Sequence, residues 1–566
     1  MHDAARDLAA DTHADTGTGT DTDTDTDTDT DVIVVGAGPT GLLLGAELAL
    51  GGVRVQILER RATAQRDSRA LTLHPRSIEL MDQRGLAERF LASGRRVPGW
   101  HFAGLDTRLD FSTLDTRHGY TLFLAQARTE QLLAERASEL DVPVRRGYEV
   151  VGLRRSSKGG DAGGRGGRES GEAGVEVDVR GPGGTLETVR ARYVVGCDGG
   201  RSVVRRAAGI GFPGTDETLS GALGDFAAVD PAALDRARAH GVLAVPLEPD
   251  PLAGPGLEGG PEGGGATRIV LLDPQRMRTP SAEPLTLDEF RASLRRICGT
   301  DCGVARPRWL SRFGNATRLA ASYRAGRVLL AGDAAHIHFP AAGQGLNTGL
   351  QDAMNLGWKL AAEINRWAPP GLLDSYHAER HPVGQAVTRN TEVQTLLAEL
   401  TLLPPYRRPA AALRALLTEL LGIEEVNRRL AGRISALDTA YPAAGTDADP
   451  LVGRRMPDIA LTATGTEALR LYELLQHGGF VLLDLAGDQE KEIRQSFEAF
   501  EARWGKRVTA LSVTEYEPRT DLHGVREILV RPDGHIAWAT RSTEVQTRRT
   551  ERLRALTSWA GRPAGD

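Results

Sequence analysis

The chain has 566 residues, which is more than one ordinary hydrophobic core holds, so two or three domains are expected. Hydrophobic residues make up 40% and charged residues 25%, as in ordinary globular proteins, and the net charge of −6 argues against nucleic acid or an anionic membrane as a partner. The sequence contains neither an apolar run long enough to span a bilayer nor the apolar core of a signal peptide. We therefore predict a cytoplasmic protein.

The cysteines and the first residues carry little chemistry. Cys197, Cys298 and Cys302 make no disulfide framework, which fits a reducing compartment. Cys298 and Cys302 could face each other on a helix, but no cluster of histidines lies nearby, so no metal site is predicted. The Asp-Thr repeat within residues 1–30 predicts a disordered tail. The alternatives are an acidic metal-binding tail and a misassigned start codon.

The first motif is a dinucleotide fingerprint. The apolar strand at 31–35 runs into Gly36-x-Gly38-x-x-Gly41, a helical pattern follows, and a second apolar strand ends in Glu59. Gly36 permits a tight turn, Gly38 lets the backbone approach a pyrophosphate, and Gly41 lets helix and strand pack closely. The positive end of the helix attracts phosphates. Glu59 can accept hydrogen bonds from a ribose, which favours FAD or NAD over a cofactor with a 2′-phosphate. The alternative is a structural glycine turn.

Several elements are predicted after this motif. A helix begins at Pro75, residues 100–111 form a hairpin, residues 120–124 form a strand, and a helix follows Gln126. Residues 148–155 and 175–195 alternate like paired strands. The glycine-rich insert at 159–174 is then a mobile hairpin tip.

Two further strands also end in polar glycine turns. An apolar strand runs into Cys197-Asp198-Gly199, and another, at 327–330, runs into Gly332-Asp333. A glycine-rich loop at 343–349 then opens a long helix, about 346–367. Between the two strands, residues 210–325 have a β-rich pattern with a Gly/Pro-rich insert at 249–265 and a helix near 287–297.

The last part of the chain restarts an α/β pattern. Pro382 is expected to break or kink one of the helices that run to about 437, and residues 441–450 form a linker. Strands are expected at 480–483, 508–513, 527–530 and 535–539, with a helix near 488–503. These elements predict a separate third domain.

The three motifs, in this order and at these distances, resemble the flavoprotein aromatic hydroxylases of the para-hydroxybenzoate hydroxylase fold. Gly-Asn-Ala-Thr-Arg at 314–318, Gly-Gln-Gly-Leu-Asn-Thr at 343–348 and Asp-Ser-Tyr-His-Ala-Glu-Arg-His at 374–381 are similar to the aromatic polyketide hydroxylases, especially those that act on angucyclinones. Gly-Arg-Arg-Met-Pro at 453–457 and Arg-Pro-Asp-Gly-His at 531–535 resemble their thioredoxin-like appendage. The resemblance covers about residues 31–560.

The resemblance implies an α/β fold with three parts. A Rossmann-like FAD-binding domain is formed by residues 31–209 and, with the long helices, 326–440. Residues 210–325 form a β-sheet substrate domain, and residues 451–562 form a thioredoxin-like domain. No cysteine follows Cys302, so dithiol chemistry is excluded in the third domain and a stabilising or oligomer-forming role is expected. The protein is expected to be a monomer or a homodimer.

The reaction implied is hydroxylation of a polycyclic aromatic polyketide of the angucyclinone, anthracycline or tetracycline type, in antibiotic biosynthesis. NADPH, with NADH as the alternative, reduces FAD transiently, O2 forms a flavin C4a-hydroperoxide, and an electron-rich ring attacks it. A Baeyer–Villiger or other oxygenation of a related antibiotic is a close rival, and a non-catalytic flavin-binding redox sensor is a distant one. A flavin halogenase is disfavoured because no Trp-x-Trp-x-Ile-Pro run is present.

The resemblance also implies the cofactor site. Arg69 and Gln126 are expected near the pyrophosphate and ribityl chain, and Arg128 is a further candidate, although Arg69 and Arg128 could instead be surface ion-pair partners. Asp333 either accepts hydrogen bonds from cofactor hydroxyls or caps a helix. The residues expected to bind FAD are Gly36, Gly38, Pro39, Gly41, Glu59, Arg60, Arg69, Gln126, Arg128, Asp198, Gly332, Asp333, Pro340, Gly343, Gly345, Leu346 and Asn347.

No acid or base is assigned from the sequence. Pro340 is expected to shape the loop beside the flavin, and backbone N–H groups at 343–347 are expected at the isoalloxazine edge. The weak candidates for a catalytic role are His74, His336, His338, Pro340 and Tyr376, and each of these residue types is more often structural.

Overall fold

The computed structural model describes residues 30–64, 70–155, 174–247, 265–443, 448–463, 468–486 and 503–563. The predicted tail, the two glycine-rich inserts and the helix near 488–503 lie outside the described residues, apart from the final residue of each. Arg69 also lies outside them.

The largest sheet has eight strands: β1 (Thr30–Val35), β2 (Val55–Glu59), β8 (Val144–Arg146), β9 (Glu149–Arg155), β10 (Val175–Arg180), β11 (Leu186–Gly196), β18 (Arg324–Ala325) and β19 (Val328–Leu330). The order is β18-β19-β11-β1-β2-β8, and the run from β19 to β8 is parallel. β10 pairs with β11 and with β9 in antiparallel fashion. The predicted pairing of 148–155 with the segment that begins at 175 is present as β9 and β10. The segment 175–195 itself contains two strands, because Pro182 and Gly183, the latter at φ 82°, turn the chain back.

Helices cover the large sheet: α1 (Pro39–Leu50), α2 (Pro75–Asp82), α3 (Ala87–Ser93), α4 (Gln126–Glu139), α5 (Val203–Ala207), α8 (Gln344–Ile364) and α9 (Ser375–Leu402). α1 is apolar on nearly all sides because it packs between the sheet, α4 and α8. A Cβ atom at Gly349 would lie 2.4 Å from Thr40 Oγ1, so the glycine lets α8 approach α1 closely. Pro382 does not break α9, which runs from Ser375 to Leu402 and has 28 residues in all.

A second, antiparallel sheet has four strands: β13 (Ser220–Ala228), β14 (Leu243–Leu247), β15 (Ala266–Leu271) and β16 (Ala305–Gly314). Its order is β14-β15-β13-β16. Helices α6 (Pro231–Ala239) and α7 (Leu287–Cys298) cover one face, where Phe226 and Phe290 pack at a ring distance of 5.0 Å. The β-rich pattern predicted between residues 210 and 325 is therefore present.

Three small sheets accompany the large one. The first contains β12 (Gly214–Thr215), β17 (Thr317–Leu319) and β20 (His336–Ile337), and the second contains β3 (Thr72–Leu73), β7 (Thr121–Phe123) and β4 (Arg95–Val97). The third is the hairpin of β5 (Gly99–His101) and β6 (Arg108–Asp110). The predicted hairpin at 100–111 is thus confirmed. Helices α10 (Arg407–Leu421) and α11 (Glu424–Ser435) pack with α9, and α11 covers the hairpin.

The C-terminal part has its own sheet: β21 (Ala460–Ala463), β22 (Leu469–Arg470), β23 (Phe480–Asp484), β24 (Val508–Tyr516), β25 (Glu527–Val530) and β26 (Ile536–Thr540), with helices α12 (Leu471–Leu474) and α13 (Val545–Ala560). β23 is parallel to β24 and antiparallel to β25. The order is β22-β21-β24-β23-β25-β26. Among the described residues, no helix is both long and apolar enough to cross a membrane.

Candidate active site

The three sequence motifs meet at one edge of the large sheet. Because β1, β11 and β19 are parallel neighbours, their carboxyl ends lie side by side, with Val35 opposite Gly196 and Gly196 opposite Leu330. Cys197 N donates to Val35 O at 2.8 Å, and Ala331 N donates to Gly196 O at 3.0 Å. The loops that follow the three strands are therefore held in fixed relative positions, where ligands of open α/β sheets bind.

The glycine turn between β1 and α1 is shaped for a pyrophosphate. Gly36 has φ 106°, and a Cβ atom there would lie 2.4 Å from Cys197 O. A Cβ atom at Gly41 would lie 2.0 Å from Gly36 O, so both positions require glycine. Gly38 is the N-cap residue before Pro39, and among the described residues no atom lies within 4 Å of a Cβ placed there and no side chain caps the helix. The free N–H groups of the first turn are thus left for an anion, which fits the diphosphate of FAD.

Glu59 lies where the fingerprint predicts an acid, at the end of β2. Its carboxylate is buried and accepts hydrogen bonds from Ala37 N and Arg61 N, each at 2.9 Å. The side chain therefore holds the glycine turn in place, and its remaining lone pairs suit ribose hydroxyls. The neighbouring Arg60 is exposed.

The loop after β11 has a polar atom that the protein does not use. Asp198 Oδ2 accepts from Val203 N at 2.7 Å and so caps α5, whereas Asp198 Oδ1 is buried with no hydrogen-bond partner among the described residues. Arg205 donates to the carbonyl oxygens of Gly200 and Ala334, both at 2.8 Å. This guanidinium ties the second motif to the third.

The loop after β19 rests on a buried carboxylate that sequence reasoning missed. Asp352 accepts from Gly332 N at 3.0 Å, from Arg380 Nε at 2.7 Å and from His336 Nε2 at 2.8 Å. Burial alone would raise the pKa of Asp352, but the charges of Arg380 and His336 hold it below its usual value. His336 is thus placed as a framework residue, whereas Asp333 is exposed in the following turn.

A second buried pair lies about two turns further along α8. Lys359 Nζ and Asn355 Nδ2 each donate to Glu379 Oε2 at 2.7 Å. The signal in the sequence was the presence of Asp352 and Lys359 among the many apolar residues in the second half of α8, since charges are almost never fully buried unless they are paired.

The start of α8 forms the glycine-rich loop expected beside the flavin. Pro340 is exposed, and Gly343, at φ 70°, is the N-cap residue, with no side chain capping the helix. Asn347 Nδ2 donates to Thr72 O at 3.0 Å and to Gly343 O at 2.8 Å. Asn347 therefore clamps the loop to β3, and the half-buried Gly345 and Leu346 lie in the first turn, where the helix favours negative charge.

The other residues singled out from the sequence are tied up in internal contacts. Tyr376 is buried, and its hydroxyl donates to Leu330 O at 2.7 Å at the end of β19. Gln126 Nε2 donates to Glu130 at 2.8 Å, and its backbone N donates to Ala70 O at 3.0 Å. Arg128 Nη2 donates to Ser93 Oγ at 3.1 Å, and its Nη1 lies 3.8 Å from Glu135 Oε1.

Comparison with known proteins fits this geometry. The model of the FAD binding domain family matches residues 29–391. A second model, for the C-terminal domain of aromatic-ring hydroxylases, matches residues 449–563. This chain belongs to the FAD-dependent aromatic-ring monooxygenases. The expected cofactor, FAD, and the expected class of enzyme are therefore confirmed.

Members of the family align with nearly the whole chain. A rifampicin monooxygenase of Streptomyces venezuelae is 44% identical over 94% of this chain and 98% of its own length. The 12-dehydrotetracycline 5-monooxygenase/anhydrotetracycline 6-monooxygenase of Streptomyces rimosus is 42% identical over 94% and 99%. The structure of OxyS anhydrotetracycline hydroxylase from Streptomyces rimosus superposes with a TM-score of 0.78, at 40% identity over 94% and 100% of the two chains. A dialkyldecalin synthase of Streptomyces rugosporus is 35% identical over 94% and 98%.

Proposed function

We propose that this protein hydroxylates a polycyclic aromatic polyketide in antibiotic biosynthesis, using FAD, O2 and NADPH as the reductant. The observation that carries the proposal is the convergence of the three loops at the carboxyl ends of β1, β11 and β19, in a chain that aligns over its length with monooxygenases of tetracycline intermediates and rifampicin. Bound FAD supplies the activation of O2.

The residues divide that work. Gly36, Gly38 and Gly41 present the start of α1 to the pyrophosphate, and Glu59 accepts from the adenosine ribose. Asp198 Oδ1, which has no hydrogen-bond partner among the described residues, and the exposed Asp333 would accept from cofactor hydroxyls. The start of α8 at Gly343 would stabilise negative charge on the ring system, while the buried Asp352 fixes the loop that carries Asp333.

The division into domains is part of the same proposal. We assign residues 31–209 and 326–440 to FAD, residues 210–325 to the substrate and residues 451–562 to a thioredoxin-like domain. Support for the last comes from the parallel β23–β24 pair, the antiparallel β25 and β26, and the helix α13 that follows them. A cytoplasmic location and a monomeric or homodimeric state belong to this proposal as well.

The test is the anaerobic rate of FAD reduction by NADPH, with and without a panel of tetracyclic phenols, followed by turnover in ¹⁸O2. We expect one phenol to accelerate reduction and to give a product that has gained a single labelled oxygen as a hydroxyl. A rate of FAD reduction that no phenol changes, together with the absence of a labelled product, would contradict the proposal. A Baeyer–Villiger product also gains one oxygen, but the ring enlarges, and NMR of the product separates the two.

The kinship with a dialkyldecalin synthase favours a second candidate, in which the protein forms a decalin ring system by ring closure. That reaction leaves the mass of the product equal to that of the substrate and needs no NADPH. Turnover of a substrate without O2 uptake would replace the first proposal by this one.

A further inference from the structure

A cluster of aromatic rings lies against the glycine-rich loop that opens α8. Its residues do not belong to the three loops that follow β1, β11 and β19. His74 follows β3, and Trp100 and His101 lie on β5. The ring centre of Trp100 is 6.3 Å from that of His74 and 4.9 Å from that of His101, and Phe123 is 5.1 Å from Trp100. His74 Nε2 donates to Ala342 O at 2.7 Å, so the cluster is joined directly to the turn that precedes α8.

The cluster contains polar atoms that are buried and unused. His74 Nδ1, Trp100 Nε1 and His101 Nδ1 have no hydrogen-bond partner among the described residues. Buried polar groups of folded proteins are nearly always paired, so three neighbouring exceptions point to a ligand or to ordered water. Aromatic walls with a few convergent polar atoms are typical of small-molecule sites.

The chemistry of the two nearest atoms is fixed. Because His74 Nε2 bonds to a carbonyl oxygen, it carries the ring proton, and Nδ1 presents a lone pair as an acceptor. Burial lowers the pKa of His74 to about 4, so the ring is neutral at neutral pH. The indole Nε1 of Trp100 can only donate. The cluster thus contains an unpaired acceptor and an unpaired donor on neighbouring aromatic rings.

Building on the proposed function, we propose that His74 Nδ1 and Trp100 Nε1 determine substrate specificity by accepting from a phenolic hydroxyl and donating to a ring carbonyl of the planar substrate. Trp100 and His101 belong to the β5–β6 hairpin, which packs with α11. A polycyclic phenol-ketone would supply a partner to both atoms and an aromatic face to pack against the rings of the cluster.

Two substitutions of the same residue separate binding from structure. In His74→Gln the side-chain nitrogen can replace Nε2 and keep the bond to Ala342 O, but the Nδ1 acceptor is lost. In His74→Asn an oxygen near the position of Nδ1 keeps the acceptor, but the bond to Ala342 is lost. Trp100→Phe removes the donor, and His240→Asn, on an exposed histidine at the end of α6, is the matched control.

The probes are 2-hydroxyanthraquinone, its methyl ether, which lacks the hydroxyl donor, and 2-hydroxyanthracene, which lacks the carbonyls. Binding to the FAD-loaded enzyme is followed by the change in flavin absorbance. Wild type and H240N should bind the phenol about threefold to tenfold more tightly than the ether. That preference should vanish in H74Q and persist in H74N, and W100F should lose the preference for the quinone over 2-hydroxyanthracene.

The inference is overturned if wild type binds none of the probes or if H74Q keeps the full preference for the phenol. It is also overturned if the substitutions change only FAD affinity, because the unpaired atoms would then belong to the flavin or to water. Hydroxylation of a panel phenol by wild type, together with unchanged selectivity in H74Q, would overturn this inference and leave the proposed function standing. Absence of oxygenated product would instead count against the proposed function.

Discussion

Arg531 and Glu379 form a bidentate ion pair between the C-terminal sheet and α9. Nη1 donates to Oε1 and Nη2 donates to Oε2, both at 2.8 Å, and the two side chains are 2% and 5% exposed. The pair lies beside Lys359, so one carboxylate joins the C-terminal domain to the helix that packs behind the cofactor site. Burial alone would raise the pKa of Glu379, but Arg531 and Lys359 lower it to about 2.

Arg531→Ala should destabilise the protein strongly. Removing one partner of a buried pair leaves the other charge uncompensated, which costs about 3–5 kcal/mol of unfolding free energy. Urea unfolding of the FAD-loaded protein measures this loss. Arg238→Ala, which removes an exposed pair with Asp235, is the control and should have no measurable effect. Equal stability of the two variants would show that the buried pair does not hold the domains together.

Asp352→Asn should weaken the binding of FAD. The amide cannot balance Arg380 and accepts less well from Gly332 N, so the loop that carries Asp333 loses its support. We expect FAD affinity to fall at least tenfold, as measured by titration of the apoprotein with FAD. Asp374→Asn, on an exposed aspartate that pairs with Arg324 at the start of α9, should bind FAD like wild type. Unchanged affinity in D352N would assign Asp352 to stability alone.

Gly38→Ala should weaken FAD binding without unfolding the protein. The added methyl group meets no protein atom within 4 Å, but it occupies the open space in front of the start of α1. We expect the FAD dissociation constant to rise about tenfold or more while the Tm of the apoprotein changes by less than about 2 °C. Gly211→Ala, where the new Cβ would make only ordinary contacts, is the control. A variant that binds FAD normally would exclude this turn as the pyrophosphate site.

The local patterns of the sequence predicted the loops but not the framework behind them. The turns at Gly36, Asp198 and Gly332 could be predicted because each follows an apolar strand directly, and parallel pairing then brings them together. The supporting ion pairs could not be predicted from the sequence, because Glu379 and Arg531 are 152 positions apart and no periodicity indicates which charges meet. The resemblance to the aromatic polyketide hydroxylases includes both segments that carry these residues, 374–381 and 531–535. The structure gives a physical reason for the presence of both segments in one chain, because the side chains of Glu379 and Arg531 contact each other.

Acid should destabilise this protein well above the range in which carboxylates titrate. Burial lowers the pKa values of His74, His101, His338 and His535 to about 4, from 6.5 in an unfolded chain. Between those values the unfolded state binds more protons, so stability is full above pH 6.5 and falls as the pH approaches 4. Each histidine contributes up to about 1.4 kcal/mol per pH unit near the middle of that window.

Denaturant unfolding between pH 5 and pH 7 measures that slope. His535→Phe keeps the ring packing against Tyr441, at a centroid distance of 4.2 Å, and removes one titrating group. Over this range its slope should be smaller by about 1 kcal/mol per pH unit on average, whatever the change in absolute stability. His240→Asn, at an exposed site, should keep the slope of wild type. An unchanged slope in H535F would show that this histidine does not titrate on unfolding.

The long separation of Glu379 from Arg531 has a consequence for how the protein is made. During translation, α8 and α9 leave the ribosome about 150 residues before the guanidinium that completes their buried charges. Until then Glu379 has only Lys359 and Asn355 as its bonded partners among these groups. The buried carboxylate of Glu379 therefore gains its bidentate partner only after the C-terminal sheet has been synthesised.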